Sequence, residues 1–243
     1  MTDLFDRALH YLGQHEQGGQ IFALNIGSMD GIMFDELYAY KSLYGFRGLF
    51  VEPIPYLYDS LVKNIGKSDG DLFENSAISD YDGMIDMLMI QREAIDQGEV
   101  HPCFYGMSAC WPPKNGLGTP EDRETVEKYG QMISVPCIRF ESLLKKHQIE
   151  RFDIVKIDAE GHDYKIFKQI DLEKYMPKVI RIEWISLSCD EQEELIQTLD
   201  GLKYQHMIVG QDLCAVSDQL MGLIDGNEKE RGESKDEKLI NHE

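Results

Sequence analysis

The sequence predicts a single α/β domain over residues 1–224, with a mostly parallel sheet and an antiparallel strand pair at its C-terminal end. Short apolar runs alternate with stretches of helical period, which is typical of a parallel sheet covered by helices on both faces. Polar, chemistry-bearing residues directly follow several of the apolar runs. They therefore belong at the carboxyl edge of the sheet, where open α/β sheets bind ligands.

The predicted elements follow the order β-α-β-α-β, an insertion, and then α-β-α-β-α-β-β, after an N-terminal amphipathic helix. Glycines end the first two helices, and Pro55 opens the third. The predicted helices are 3–17, 34–44, 55–65, 140–147, 164–169 and 190–199. The predicted strands are 21–26, 48–51, 72–79, 84–90, 132–138, 152–157, 179–185, 204–209 and 213–216. We expect 84–90 to form a hairpin with 72–79 across the turn at 80–83.

Two segments depart from this alternation. Residues 91–130 are rich in proline and glycine and carry Phe104, Tyr105 and Trp111. A long insertion of this kind in an α/β domain is typical of a lid or substrate-binding loop, although a disordered excursion is the alternative. Residues 225–243 are highly charged and nearly free of large apolar side chains, which predicts a disordered tail.

The charge and the termini restrict the class of protein. There are 44 acidic residues against 24 lysines and arginines, so the net charge is −20. This balance argues against nucleic-acid binding, which requires a basic surface, and against docking on anionic membranes. No apolar run is long enough to span a bilayer, no secretory signal is visible, and the five cysteines are scattered. We therefore predict a cytoplasmic protein with reduced cysteines.

The most informative feature is a glycine-bearing turn at residues 25–31 together with Glu52-Pro53, which begins 21 residues after Gly31. Each follows an apolar run, 21–26 and 49–51 respectively. A glycine turn at the end of one strand beside an acid at the end of the next is how a Rossmann-like sheet holds the ribose of an adenosine cofactor. The pair predicts a nucleoside-cofactor enzyme and leaves the choice of cofactor open.

The turn favours S-adenosylmethionine over a dinucleotide. It reads Gly27-x-x-x-Gly31 and lacks the G-x-G-x-x-G spacing, which disfavours an NAD-dependent oxidoreductase. Asp30 would repel a diphosphate but suits a cofactor that carries a sulfonium and an amino group. Alternatively, Asp30 caps the helix that follows. Residues Ser76, Ala77 and Ile78, at the end of the third strand, are candidates for contact with the adenine.

A dense group of charged residues follows the strand 152–157. Asp158, Glu160 and His162 crowd the turn before the next helix, and we predict them as the catalytic residues. We favour His162 as the base, because the pKa of histidine is ordinarily near neutral; a solvent-facing histidine is the alternative. Asp158 and Glu160 would otherwise cap the helix, or hold a divalent cation through their oxygens.

Four segments together resemble the FkbM family of S-adenosylmethionine-dependent methyltransferases. They are 25–31, 50–53, 75–80 and 156–161, and the resemblance runs from about residue 20 to residue 216. It implies a class I methyltransferase fold and transfer of a methyl group to a hydroxyl of a small-molecule or sugar acceptor. Asn25 stands where the family often has Asp, which keeps open a non-catalytic module on the same fold. The predicted cofactor-binding residues are Asn25, Gly27, Ser28, Asp30, Gly31, Glu52, Pro53, Ser76, Ala77, Ile78 and Asp158.

Overall fold

The computed structural model describes residues 3–16, 20–66, 69–101, 104, 106, 108–110 and 122–228. Parts of the predicted insertion and the stretch 229–243 of the predicted tail lie outside the described residues, so the lid and the disordered tail stay predictions. Across the described ranges, every helix is too short or too polar to cross a membrane.

The helices are α1 Leu4–His15, α2 Glu36–Tyr44, α3 Pro55–Ile65, α4 Arg92–Asp96, α5 Asp122–Tyr129, α6 Phe140–Lys146, α7 Asp163–Phe167, α8 Leu172–Tyr175, α9 Cys189–Gly201 and α10 218–228. The strands are β1 Phe22–Ile26, β2 Arg47–Val51, β3 Leu72–Glu74, β4 Ala77–Ile78, β5 Gly83–Ile90, β6 Ala109–Cys110, β7 Gly130–Ile138, β8 Ile154–Ile157, β9 Val179–Glu183, β10 Tyr204–Val209 and β11 Asp212–Ser217.

Seven strands form the main sheet in the order β10-β11-β9-β8-β1-β2-β3. The five strands β9, β8, β1, β2 and β3 are parallel, whereas β11 pairs antiparallel with both β9 and β10. The chain runs outward from β1 to β3 and then crosses to β8 on the other side of β1. The reversal of strand order between β1 and β8 is the position where open α/β sheets bind ligands.

Alternate side chains of the main strands enter two separate cores. Leu24 and Ile26 of β1 pack with α6, α7 and α9 on one face. Ala23, the residue before Leu24, packs with α1, α2 and α10 on the other face. Both faces of the sheet are therefore covered, which explains why its strands are continuous apolar runs in the sequence.

The third predicted strand, 72–79, is wrong as a single element. It divides into β3, which pairs with β2 of the main sheet, and β4, which leaves that sheet and pairs parallel with β7. The predicted hairpin of 84–90 with 72–79 is also wrong, because β5 pairs antiparallel with β7 and β6. The polar residues Asn75 and Ser76 separate β3 from β4, so the chain changes direction where the sequence suggested one long strand.

The result is a second sheet, in the order β4-β7-β5-β6. Its inner face packs against α3 through Met87, Val135 and Cys137, which surround Leu57. This arrangement places Gly106, Ser108 and Cys110, described residues of the insertion, beside the carboxyl edge of the main sheet. At the other end of the chain, residues 225–228 are the last turn of α10, so the beginning of the predicted tail is helical.

Candidate functional site

A pocket lies at the carboxyl edge of the main sheet, where the strand order reverses. One wall comes from the residues that follow β1, β2 and β8, and another comes from the second sheet. Its lining residues are Ile26, Gly27, Met29, Val51, Glu52, Pro53, Leu57, Ser76, Ala77, Ile78, Met87, Gly106, Ser108, Cys110, Asp158, Ala159, Glu160, His162 and Ile166.

Gly27 joins the ends of three neighbouring strands. Its amide donates to the carbonyl of Val51 at 3.0 Å, and the amide of Asp158 donates to the carbonyl of Ile26 at 3.0 Å. Gly27 has a φ of +80°, and a Cβ at this position would lie 1.7 Å from the carbonyl oxygen of Asp158. Only glycine can occupy this position without moving the backbone of β8, since it alone lacks the Cβ and tolerates the left-handed conformation.

Glu52 is the buried carboxylate of the pocket, with 4% of its surface exposed. Its two oxygens accept hydrogen bonds from the backbone amides of Met29, at 2.9 Å, and Ile54, at 2.8 Å. The side-chain amide of Asn75 donates to the carbonyls of Glu52 and Pro53, at 2.7 and 3.1 Å, and holds the turn in place. Burial raises the pKa of Glu52 to about 8, although the two amide donors act in the opposite direction.

The second sheet supplies the apolar wall. Met87 and Cys110 pair across β5 and β6, and both side chains are buried where they line the pocket. Ser108, just before β6, also lines the pocket, and its hydroxyl is buried with no hydrogen-bond partner among the described residues. These residues are the part of the pocket lining that the second sheet and the segment before β6 contribute.

The loop between β8 and α7 is held by Asp163, which is fully buried. Its carboxylate accepts hydrogen bonds from the backbone amides of Ala159, at 2.8 Å, and Gly161, at 2.9 Å. Burial raises the pKa of Asp163 to about 6. Asp163 therefore has a structural role, because it fixes the loop that carries Glu160 and His162 into the pocket.

The loop carries a concentration of negative charge. Burial, together with the neighbouring charges of Asp158 and Glu183, holds the pKa of Glu160 well above its usual value. Burial and the charges of Asp163 and Asp158 raise the pKa of Glu183, at the end of β9, to about 8. The ammonium group of Lys156 lies 3.3 Å from the carboxylate of Asp158. Burial works against the charge of Lys156, but Asp158 keeps its pKa above the usual value.

Nine of the predicted site residues line the pocket. They are Gly27, Glu52, Pro53, Ser76, Ala77, Ile78, Asp158, Glu160 and His162. The structure therefore brings the residues from four separate segments of the sequence into one pocket. Their individual roles stay predictions.

Four predicted cofactor-binding residues, Asn25, Ser28, Asp30 and Gly31, are not among the lining residues. Asn25 and Ser28 are buried in the first turn, and the Ser28 hydroxyl donates to the carbonyl of Asn25 at 2.8 Å. Asp30 accepts hydrogen bonds from two amides of its own turn, at 2.9 and 2.7 Å. Asp35, rather than Asp30, is the N-cap of α2.

The apolar half of the pocket was not predicted from the sequence. Leu57, Met87, Cys110 and Ile166 line it without belonging to any motif, and Met29 lies within the glycine turn but was not predicted as a site residue. The helical period of the sequence could have indicated that Leu57 is buried, since it lies on the buried side of α3. No sequence pattern indicates the position of Met87 and Cys110, because it depends on how β5 and β6 pair in the second sheet.

The predicted divalent cation is not supported by the carboxylate geometry. Among the described residues, no three His, Cys, Asp or Glu side chains lie in an arrangement that could hold a metal ion. Asp158, Glu160 and Glu183 influence one another through charge, but their oxygens do not converge.

A comparison with protein-family models matches residues 25–206 to the methyltransferase FkbM domain. The chain belongs to the FkbM methyltransferase family. The sheet order and the family together make this the Rossmann-like class I methyltransferase fold predicted from the sequence. No curated protein matches this FkbM domain.

Three solved structures are similar to the FkbM domain described above. The METTL16 methyltransferase domain has 11% identity and a TM-score of 0.44, over 87% of this chain and 66% of that one. The O-methyltransferase from Bacillus cereus in complex with SAH has 13% identity and a TM-score of 0.39, over 89% and 83%. The human methyltransferase 10 domain containing protein has 11% identity and a TM-score of 0.40, over 89% and 84%.

Proposed function

We propose that the protein is an S-adenosylmethionine-dependent methyltransferase that methylates a hydroxyl oxygen of a small molecule or sugar. The observation that carries the proposal is Glu52, a buried carboxylate at the end of β2 that opens into a largely apolar pocket. Ribose hydroxyls are hydrogen-bond donors, and the two carboxylate oxygens of Glu52 retain lone pairs beyond the two amides they already accept.

The charges in the pocket fit a cationic cofactor better than a dinucleotide. Asp158 and Glu160 line the pocket at the end of β8, where they would repel a diphosphate. The same carboxylates attract a sulfonium and an ammonium group. Asp30, which the sequence suggested for this role, does not line the pocket, so we assign the role to Asp158 and Glu160.

Two further groups of residues complete the cofactor site. Gly27 keeps the floor of the pocket free of side chains. Ser76, Ala77 and Ile78 lie after β3 and in β4 and line the pocket, and we assign them to the adenine. Asn25, which stands where the family often has Asp, does not line the pocket. This difference, which left a non-catalytic module as an alternative, therefore does not alter the cofactor site directly.

S-adenosylmethionine, when bound, supplies an electrophilic methyl group, which is displaced from sulfur as the new O–C bond forms. The protein aligns the acceptor and removes its proton. His162 lines the pocket at the N-terminus of α7, and we assign it to accept the hydroxyl proton. The apolar wall formed by Leu57, Met87 and Cys110 excludes water, which strengthens the electrostatic interactions inside the pocket.

Calorimetry with S-adenosylhomocysteine tests the cofactor. The wild-type protein is expected to bind it, and Glu52→Ala is expected to weaken binding by at least about 100-fold, since two hydrogen bonds to a charged group are lost. Glu150→Ala removes an exposed carboxylate at the opposite edge of the sheet and is the matched control. Undiminished binding by Glu52→Ala, or preferential binding of NAD⁺, would refute the assignment.

Transfer of a labelled methyl group to a small-molecule extract tests the reaction. An ether product is expected, and His162→Ala should lower its rate of formation by about 100-fold without weakening S-adenosylhomocysteine binding. His147→Ala is the control, because His147 is bonded to Glu74 at 2.7 Å and lines a different pocket. A labelled amine or thioether as the product would contradict O-methylation.

A further inference from the structure

A row of three polar residues crosses the main sheet near the carboxyl ends of its strands. Asn25 of β1, Lys156 of β8 and Arg181 of β9 lie side by side, because Asn25 pairs in register with Lys156 and Lys156 with Arg181. All three are buried. Lys156 therefore carries a charge into the interior of the domain.

The start of α2 supplies partners for the two outer members of the row. Asn25 donates to Asp35 at 2.7 Å, and the guanidinium group of Arg181 donates to Glu36 at 3.0 Å. Lys156, in the middle, feels the charges of both carboxylates, but its hydrogen bond goes elsewhere. Asn25 and Arg181 therefore connect the sheet to α2, whereas Lys156 has a different principal partner.

The principal partner of Lys156 is Asp158, which lines the pocket. The ammonium nitrogen lies 3.3 Å from Oδ2 of Asp158. The other oxygen of Asp158 accepts no hydrogen bond within the described ranges, and 41% of the side chain is exposed. Lys156 thus holds one oxygen of a carboxylate whose other oxygen is available to a ligand.

A stabilising role alone does not account for a lysine at this position. Removing an ammonium group from water is costly, and a buried ion pair often stabilises a protein no more than apolar residues of similar size do. Ile154, two residues earlier on the same face of β8, is fully buried in the apolar core. The charge at position 156 therefore points to a role at Asp158, the pocket residue that it contacts.

We propose that Lys156 is a positioning residue for the cofactor: it holds Asp158 by one carboxylate oxygen, so that the other oxygen receives the ammonium group of S-adenosylmethionine. This inference rests on the proposed function, which assigns Asp158 to the positive groups of the cofactor. Lys156 does not line the pocket, so it acts through Asp158. A side chain that is fixed before binding loses less conformational freedom when the ligand binds. Removal of Lys156 should therefore weaken binding, even though it also removes a positive charge near a cationic ligand.

Calorimetry with S-adenosylhomocysteine, which carries the same ammonium group, tests the proposal. Lys156→Met is expected to weaken binding by about tenfold or more, as expected for one hydrogen bond to a charged group. Arg181→Met is the matched control. Arg181 is the buried neighbour of Lys156 in the sheet, but it is bonded to Glu36 and Asp212, so its loss should change the affinity by less than about twofold.

A double variant distinguishes positioning from a general loss of structure. Asp158→Ala should itself weaken binding, and adding Lys156→Met to it should change the affinity by less than about twofold, because the group through which Lys156 acts is already absent. A general structural effect would instead multiply the two losses. Thermal unfolding checks that each variant is folded. Lys156→Gln, which is uncharged and one atom shorter, should show the same loss and replaces Lys156→Met if that variant does not fold.

Three results would overturn the proposal. The first is equal or tighter binding of S-adenosylhomocysteine by folded Lys156→Met or Lys156→Gln. The second is an equal loss in Arg181→Met, and the third is that Lys156→Met weakens binding as much without Asp158 as with it. If Glu52→Ala still weakens binding in any of these cases, the proposed function stands and only the role of Lys156 is refuted. Failure of the wild-type protein to bind S-adenosylhomocysteine would refute the proposed function itself.

Discussion

The side-chain amide of Asn25 donates a hydrogen bond to the carboxylate of Asp35 across 2.7 Å, in the buried part of the first turn. The other oxygen of Asp35 accepts the backbone amide of Leu37 at 3.0 Å and caps α2. Asn25 therefore connects the end of β1 to the start of α2. An aspartate at position 25 would place a second carboxylate against Asp35, so the departure from the usual family residue fits its local partner.

Asn25→Asp is expected to lower the free energy of unfolding by about 2–4 kcal/mol at pH 7.5, because two buried carboxylates would then face each other without a shared donor. Urea denaturation measures this loss. Asn64→Asp is the control, since Asn64 is less buried and donates to a backbone carbonyl, that of Asp30. Equal stability of Asn25→Asp and the wild-type protein would show that the contact with Asp35 is not important.

Gly27→Ala is expected to destabilise the protein by more than about 3 kcal/mol and to abolish S-adenosylhomocysteine binding, because the new Cβ would collide with the carbonyl of Asp158. Gly45→Ala is the control, because it introduces backbone strain without a collision. Gly45 also has a positive φ, +72°, but a Cβ there meets nothing within 4 Å. Gly45→Ala should lower the free energy of unfolding by only about 1 kcal/mol and leave the binding of S-adenosylhomocysteine intact. Similar losses in the two variants would contradict the close contact of β1 with β8.

The affinity for S-adenosylhomocysteine should depend on the ionisation of Glu52. Its pKa is about 8 in the free protein, and the ribose hydroxyls donate to the ionised form. Affinity should therefore be greatest above pH 8 and decline as the pH falls below 8, by up to about tenfold per unit. Calorimetry from pH 6 to pH 9 measures this. Glu52→Gln cannot titrate, so its affinity for S-adenosylhomocysteine should be weaker and nearly independent of pH. If affinity depends on pH in the same way in both proteins, Glu52 is not the cause.

Glu183 should make the stability of the free protein depend on pH. Its pKa is raised from 4.5 to about 8, so the folded state binds the proton more tightly than the unfolded state does. The resulting stabilisation is complete below pH 4.5 and is lost as the pH rises through 8. Glu183→Gln should match the wild-type protein near pH 5 and exceed it by about 1–3 kcal/mol at pH 8.5. Urea denaturation at both pH values measures the difference. If Glu183→Gln were more stable than the wild-type protein only at pH 5, the raised pKa of Glu183 would be contradicted.

The sequence predicted the parts of the fold that depend on local pattern. The runs that became β1, β2 and β8 are continuous and apolar because both faces of the sheet are covered, and each ends at a charged or glycine-containing turn. Glu52, Asp158 and His162 could therefore be placed at one edge of the sheet before their contacts were known. Each lies within a few residues of a strand end, and parallel strands align those ends.

The rest of the fold and of the pocket depends on the pairing of strands that are distant in the sequence, which the local sequence pattern does not encode. Residues 72–79 were predicted as one strand, yet β3 and β4 belong to different sheets. Met87 and Cys110 enter the pocket only because β5 pairs with β6 and β7. Asp30 and Asn25 do not line the pocket for a related reason: in a turn of seven residues, the local hydrogen bonds decide which side chains face the pocket.

A crystal structure of the protein with S-adenosylhomocysteine is the most direct test of the central claim. The ligand should lie between the ends of β1, β2 and β8, with both ribose hydroxyls within about 3.2 Å of the Glu52 carboxylate. Its adenine should contact Ala77 and Ile78. A ligand bound in another pocket, or in this pocket with its ribose away from Glu52, would contradict the account.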